Sequence, residues 1–283
     1  MKITEHLTLG RINTLRIDRD TEPGLYLACD DGECVLLPNA YVTDDMFIDD
    51  LIEVFIYTDS EDRFVATTLT PAGVLDEYVA LKVVDTMKYG AFMDWGLPKD
   101  LLVPQKFQKT IYHKGQTKVV RIAEDKDTER LYATEKFSEF LSTDIHLLKK
   151  NQEVNIMVFH KTPLGFKVLI ANNYEGMIFD NEIFQPIEIG QKMVGYIKDI
   201  RKDGKIDVSL QPIGKKASKG VGSGKIVEAL EANNGKMNFT YKSDADDINN
   251  TFAMSKKAFK KSLTELIEKK VIVLNDDCIE LIK

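Results

Sequence analysis

Two periodicities divide the chain. Up to Pro212, short apolar runs alternate with polar positions and are broken by Gly, Pro, Asn and Asp, which is the pattern of β-strands joined by turns. Beyond Pro212 the apolar residues recur at about every 3.6 positions, which is the pattern of helices.

The strand-forming part is written three times. Fourteen residues after each of Gly24, Gly90 and Gly165 lie Pro38, Pro104 and Phe179, each closing an apolar run. Eleven further on, Asp49-Asp50, Gly115-Gln116 and Gly190-Gln191 open the strand-like stretches 51–56, 117–122 and 192–197. A basic residue, Arg63, Arg130 or Lys205, then opens a last strand. Four registers agreeing in three copies define an internal repeat, and each copy has about five short strands. A unit so small closes most economically as a barrel, because closure removes unpaired strand edges.

The repeats predict barrels over 1–70, 71–136 and 151–213. Between the last two, Phe137, Phe140, Leu141, Ile145 and Leu148 recur at helical spacing and predict a linker helix over 137–150. Residues 214–224, rich in Gly, Ser and Lys, predict a flexible linker. From 225 to 283 the order is a helix around Ile226, Ala229 and Leu230, a short one at Asp246-Asp247-Ile248, and a third capped by Ser255 that carries Phe259, Leu263, Leu266 and Ile267. Two strands joined at Asn275-Asp276-Asp277 follow, which is the order of a winged helix. The fold class predicted is therefore mainly β with some α: three tandem five-stranded barrels and a C-terminal winged-helix domain.

Composition narrows the function classes. The 283 residues are 43% apolar and 29% charged, an ordinary globular balance. The longest apolar run, Leu25 to Cys29, is far short of the ~20 residues that span a bilayer, and the start of the chain lacks a secretory pattern, so a cytoplasmic protein is expected. Cys29, Cys34 and Cys278 are an odd number without a CxxC and are expected to be reduced. The net charge of −7 is unevenly spread. Residues 1–70 hold 5 basic and 15 acidic side chains, a net of −10, which leaves +3 for 71–283. Any nucleic-acid surface is thus expected on the second and third barrels and the tail.

No catalytic constellation is present. Gly224-Lys225 precedes a helix as in a phosphate-binding loop, but Lys219 stands where the first glycine belongs and Ile226 where a magnesium-binding hydroxyl belongs. His6, His113, His146 and His160 lack zinc spacing, and Asp44-Asp45 and Asp49-Asp50 read as a solvated acidic face. Neither a cofactor nor a metal is expected, and an enzyme is not.

In the second repeat Tyr89-Gly90-Ala91-Phe92-Met93, Leu101-Leu102-Val103, Gly115-Gln116 and Arg130 resemble the S-one domain, the OB-fold RNA-binding repeat of the large small-subunit ribosomal protein. That resemblance implies that Tyr89 and Phe92 stack bases and that Arg130 meets phosphate, with Lys88 and Arg121 as neighbouring cations; Pro104 stands at the family's histidine position. In the third repeat Phe179 takes the histidine position and Lys205 the basic one, while Leu164 and Lys167 replace the aromatics and Phe166 lies beside them. In the first only Tyr26 and Arg63 match, among Asp30, Asp31 and Glu33, so this copy is expected to bind worst. On the third helix of the tail Lys257 and Lys261 lie opposite the apolar face with Lys260 flanking it, and all three are candidates for phosphate contact.

Three such barrels followed by Met254-Ser255-Lys256-Lys257-Ala258-Phe259-Lys260-Lys261 are similar to the conserved virulence factor B family. The resemblance covers nearly the whole chain. It implies single-stranded RNA binding and post-transcriptional control in the bacterial cytoplasm, with the ribosome or RNA-processing machinery as candidate partners. The alternative is a DNA-binding transcription regulator that holds duplex through the winged helix and uses the barrels as a protein-interaction scaffold.

Overall fold

A computed structural model of the chain describes residues 3–183, 186–212 and 221–282. It falls into two compact units, 1–141 and 142–283. The first unit holds two of the repeats. Strands β1 (Ile12–Thr21), β2 (Gly24–Ala28), β3 (Cys34–Pro38), β4 (Leu51–Thr58) and β5 (Phe64–Thr67) close a barrel in the order β1-β2-β3-β5-β4. The second repeat supplies β6 (Tyr78–Met87), β7 (Gly90–Asp94), β8 (Leu101–Pro104), β9 (Thr117–Asp125) and β10 (Arg130–Thr134). Its ladder runs β10-β9-β6-β7-β8 and stays open, so the closed barrel expected of this second repeat is a curled sheet whose end strands β8 and β10 lie side by side without pairing.

The second unit begins with β11 (Glu153–Thr162), β12 (Gly165–Ile170), β13 (Tyr174–Phe179), β14 (Lys192–Ile200) and β15 (Ile206–Ser209), again closed in the order β11-β12-β13-β15-β14. The tail is α1 (Val221–Ala232), β16 (Lys236–Met237), α2 (Ala245–Phe252), α3 (Lys256–Glu268), β17 (Ile272–Leu274) and β18 (Ile279–Leu281), in which β17 and β18 form the expected hairpin and β16 adds a third strand. Asp244 and Ser255 cap α2 and α3 by accepting from the amides of Asp246 (2.8 Å) and Ala258 (3.2 Å).

The fourteen-residue offset has a direct structural cause. Gly24 pairs across the strands with Pro38, Gly90 with Pro104 and Gly165 with Phe179. A Cβ at these glycines would lie 2.1 Å from the Leu37 carbonyl oxygen, 2.6 Å from that of Val103 and 2.0 Å from that of Ile178. Only glycine lets the hairpin close so tightly there, and at Gly24 and Gly165 the backbone φ is also positive. A bulge in the first strand of each copy, between Ile17 and Arg19, Val83 and Asp85, and Val158 and His160, bends that strand so that it borders both neighbours.

The first two repeats share a core. Phe55, Tyr57 and Val65 pack in one apolar cluster with Val79, Trp95, Val103 and Tyr112, and Phe55 meets Trp95 edge-on at 5.7 Å. Around it, Lys99 Nζ donates to the Asp59 carbonyl (2.6 Å), Arg11 pairs with Asp76, and Arg130 with Asp62.

Two expected linkers differ from the sequence reading. Residues 137–150 contain only a 3-10 turn at Phe137–Glu139 in place of a helix. Phe137 is buried against Tyr78 (5.0 Å, 90°), whereas Ile145 and Leu148 pack on the core of the third barrel. The helical spacing therefore serves two separate cores and not one helix face. Of the Gly/Ser linker, 214–220 lies outside the described residues, but 221–224 already belong to α1, where Ser223 Oγ donates to Glu265 (3.1 Å) and rewards helix over loop.

Candidate nucleic-acid interface

The pleat turns alternate residues of the second and third strands of each copy outward. Those residues are Tyr26 and Leu36, Phe92 and Leu102, and Lys167 and Met177. Each pair is directly opposed across the ladder and half-buried between fully buried neighbours. The outer face is thus aromatic and aliphatic in the first two copies and a lysine beside a methionine in the third. Reasoning from aromatic and basic spacing missed Leu36, Leu102 and Met177; stepping by two from the opposing aromatic would have found them.

In the second copy Lys88 and Tyr89 form the β6–β7 turn, and Tyr89 is 60% exposed. Its ring meets that of Phe92 edge-on, with centroids 6.0 Å apart, and its carbonyl accepts from the Gln105 amide (2.9 Å). Two apolar rings are therefore held at the surface by backbone pairing, beside an exposed ammonium. Arg130 opens β10 as expected, but its guanidinium already donates to Asp62 in the β4–β5 turn. Arg121 departs from the expected surface. Its side chain is 13% exposed, donates to the Asp76 carboxylate (2.8 Å) and carbonyl (2.5 Å), and lies 4.3 Å from the ring centroid of Phe140. It is a strut that fixes the 137–140 turn. A second aromatic pair that the sequence reading missed, Phe107 stacked on Tyr132 at 4.6 Å, carries Lys106 Nζ 4.8 Å from the Phe107 centroid. Tyr132 was reachable by stepping two residues from Arg130.

In the third barrel strand alternation sends Phe166 into the core, 9% exposed, so Lys167 alone faces outward and the expected role of Phe166 in stacking has no exposed ring behind it. Lys167 pairs with Glu175 (2.6 Å) and Lys205 with Asp203 (2.8 Å). The hydrogen bond from Lys205 holds the Asp203 carboxyl below its ordinary value. Phe179 is half-buried under the Arg201 guanidinium (5.4 Å), itself fixed by two hydrogen bonds to Asp207 (3.0 and 3.1 Å).

The first barrel covers its own aromatic. Arg19 lies 4.5 Å over the ring of Tyr26 and pairs with Asp18, while Arg63 is held by Asp59 (2.7 Å) and Glu61 (2.8 Å). Nearby, donor atoms of Cys29, Asp31 and Glu33 converge within 4.8 Å, as a metal would require. Cys29 and Asp31 are already engaged with each other and with His6, however. Cys29 Sγ donates to one oxygen of Asp31 (2.7 Å), and His6 Nδ1 lies 2.6 Å from the other. Hydrogen bonds from Cys29, the Glu33 amide and His6 bring the Asp31 carboxyl down to about 2, while burial and then Asp31 push the Cys29 thiol up to about 11. In the tail, Lys257, Lys260 and Lys261 are exposed on α3, with Phe259, Leu263 and Leu266 buried on the other side.

Small OB-type barrels in tandem with a winged helix define a multidomain chain whose parts are of nucleic-acid-binding types. The S1 domain family matches residues 9–69, the first barrel, and the CvfB-like winged helix domain family matches residues 224–281. Over 267 residues the chain is 31% identical to the uncharacterized protein YitL of Bacillus subtilis (strain 168), spanning 92% of this chain and 89% of that protein. It is 26% identical over 262 residues to conserved virulence factor B of Staphylococcus epidermidis (strain ATCC 12228), spanning 89% and 87% of the two chains. The chain belongs to the conserved virulence factor B family. A crystal structure from Streptococcus pneumoniae TIGR4, described as a multidomain protein with nucleic acid binding domains, aligns over 97% of this chain and 98% of its own, at 25% identity and a TM-score of 0.45. Among the described residues no helix is long and apolar enough to cross a membrane.

Proposed function

We propose that this chain is a non-enzymatic, single-stranded RNA-binding protein that acts in post-transcriptional regulation of gene expression in the cytoplasm. The observation that carries this reading is the exposed Tyr89–Phe92 pair beside Lys88. Bases stack on such rings with about 1 to 3 kcal/mol each and little sequence preference, while a neighbouring cation follows the backbone. Taken by themselves, the third barrel offers Lys167, Phe179 and Lys205, and the tail Lys257, Lys260 and Lys261, as further contacts. The S1 and winged-helix families support the broader class. Because Arg63, Arg130, Lys167 and Lys205 are all paired with carboxylates, binding relies on stacking more than on counterion release, and its salt dependence is shallow.

Titration of labelled single-stranded RNA tests the reading. Tyr89→Ala/Phe92→Ala lowers affinity by about tenfold or more if both rings stack, and unchanged affinity refutes the site. The exposed lysines of α3 favour a second reading, contact with duplex DNA through the winged helix. Duplex DNA displacing the RNA at lower concentration than RNA itself does would select it.

A further inference from the structure

The cations that open the last strand of each copy are neutralised by carboxylates, whereas Lys88 and Lys109 in the second copy are exposed and form no ion pair among the described residues. They flank an open cleft of about 430 Å³ between the β6–β7 hairpin and the segment 105–112. Its rim exposes two aliphatic side chains, Met87 at 53% and Ile111 at 79%. Gln105 and Gln108 also line it, and the Gln108 side chain is anchored by donating to the Val103 carbonyl (2.9 Å).

The segment is held ready. The Glu135 carboxylate accepts the amides of Lys109 (2.8 Å) and Thr110 (3.3 Å), and Lys118 Nζ donates to Thr110 Oγ1 (2.8 Å). Glu135, the acidic group facing the segment, is thereby turned to backbone amides. Exposed apolar side chains between unpaired ammoniums, on a fixed backbone next to Tyr89, have the chemistry of a nucleotide subsite: apolar contact for the base, amides for its edge and cations for the flanking phosphates.

We propose that this cleft binds one nucleotide of the single strand that stacks on Tyr89 and Phe92, with Lys88 and Lys109 on its two flanking phosphates and Met87 and Ile111 against its base. The inference rests on the RNA-binding reading and lengthens the path of the strand beyond the outer face of the sheet.

The test is fluorescence anisotropy of the full chain with a labelled oligouridylate of about 16 nucleotides, near the upper reach of one OB fold. Lys109→Ala weakens binding and reduces the log-log salt slope by about 0.7, the value of one phosphate contact on a single strand. Ile111→Ser weakens binding by about threefold or more and leaves the slope unchanged. Lys126→Ala, in the β9–β10 turn, is the control. Emission from buried Trp95 verifies that each variant keeps its fold. If Lys109→Ala and Ile111→Ser match wild type, or Lys126→Ala costs as much as Lys109→Ala, the cleft is overturned. If Tyr89→Ala/Phe92→Ala still weakens binding in that case, the barrel reading survives; if that variant too is silent, both fall.

Discussion

Two cysteines five residues apart show how local packing sets reactivity. Cys29 is buried, donates to Asp31 and has its thiol pushed up to about 11, whereas Cys34 on the next strand is exposed. At pH 8 the thiolate fraction of Cys29 is about one in a thousand, and burial limits access further. Iodoacetamide is expected to alkylate Cys34 in the native protein well before Cys29, as read by peptide mass spectrometry. Equal rates would mean that the Asp31 turn does not hold. Their number and spacing predict free thiols; which thiol is protected was not legible, because His6 and Asp31 reach the site from positions that no motif joins. The same limit applied to Phe166 and Arg121. Aromatic and basic letters near the right register suggested a surface, and only strand alternation and the Asp76 partner show one in the core and the other in a clamp.

At the level of elements, the hairpins were the most legible part. The Gly24–Pro38, Gly90–Pro104 and Gly165–Phe179 pairs leave a signature in the sequence because no other residue survives so close to a carbonyl. The expected helix over 137–150 misled for the opposite reason, since apolar spacing says nothing about whether one core or two receives it. Turns also carry function. The β4–β5 turn presents Asp62 to Arg130 of β10 and to Lys99 (3.4 Å). On the proposed RNA-binding reading, a carboxylate there would compete with phosphate for Arg130. Asp62→Asn is therefore expected to raise RNA affinity and to steepen the salt slope by about 0.7. The cost in stability should be small, since an exposed pair contributes only ~0–1 kcal/mol. Salt titrations of binding check this, and an unchanged slope would mean that Arg130 does not touch the strand.

For the whole molecule, the repeat count was legible and the grouping of the repeats was not. The sequence places a boundary near residue 70, yet Phe55, Tyr57 and Val65 share a core with Trp95, the single tryptophan. A fragment of residues 71–283 is expected to show red-shifted Trp95 emission and to associate through the face it uncovers, whereas 1–141 keeps a blue-shifted spectrum and unfolds in one step. Identical spectra for the two fragments would show that the shared core does little. The charge asymmetry acquires a location in the same way, because the acidic first barrel lends Asp62 and the Asp59 carbonyl to basic residues of the second.

The edge-on contact of Phe55 with Trp95 also limits how this architecture can change. Repeats that touch only through linkers can be duplicated, deleted or exchanged one at a time, like beads. Here the first two are welded through one core, so neither can be duplicated, deleted or exchanged without the other. A working hybrid with a relative would have to exchange them together.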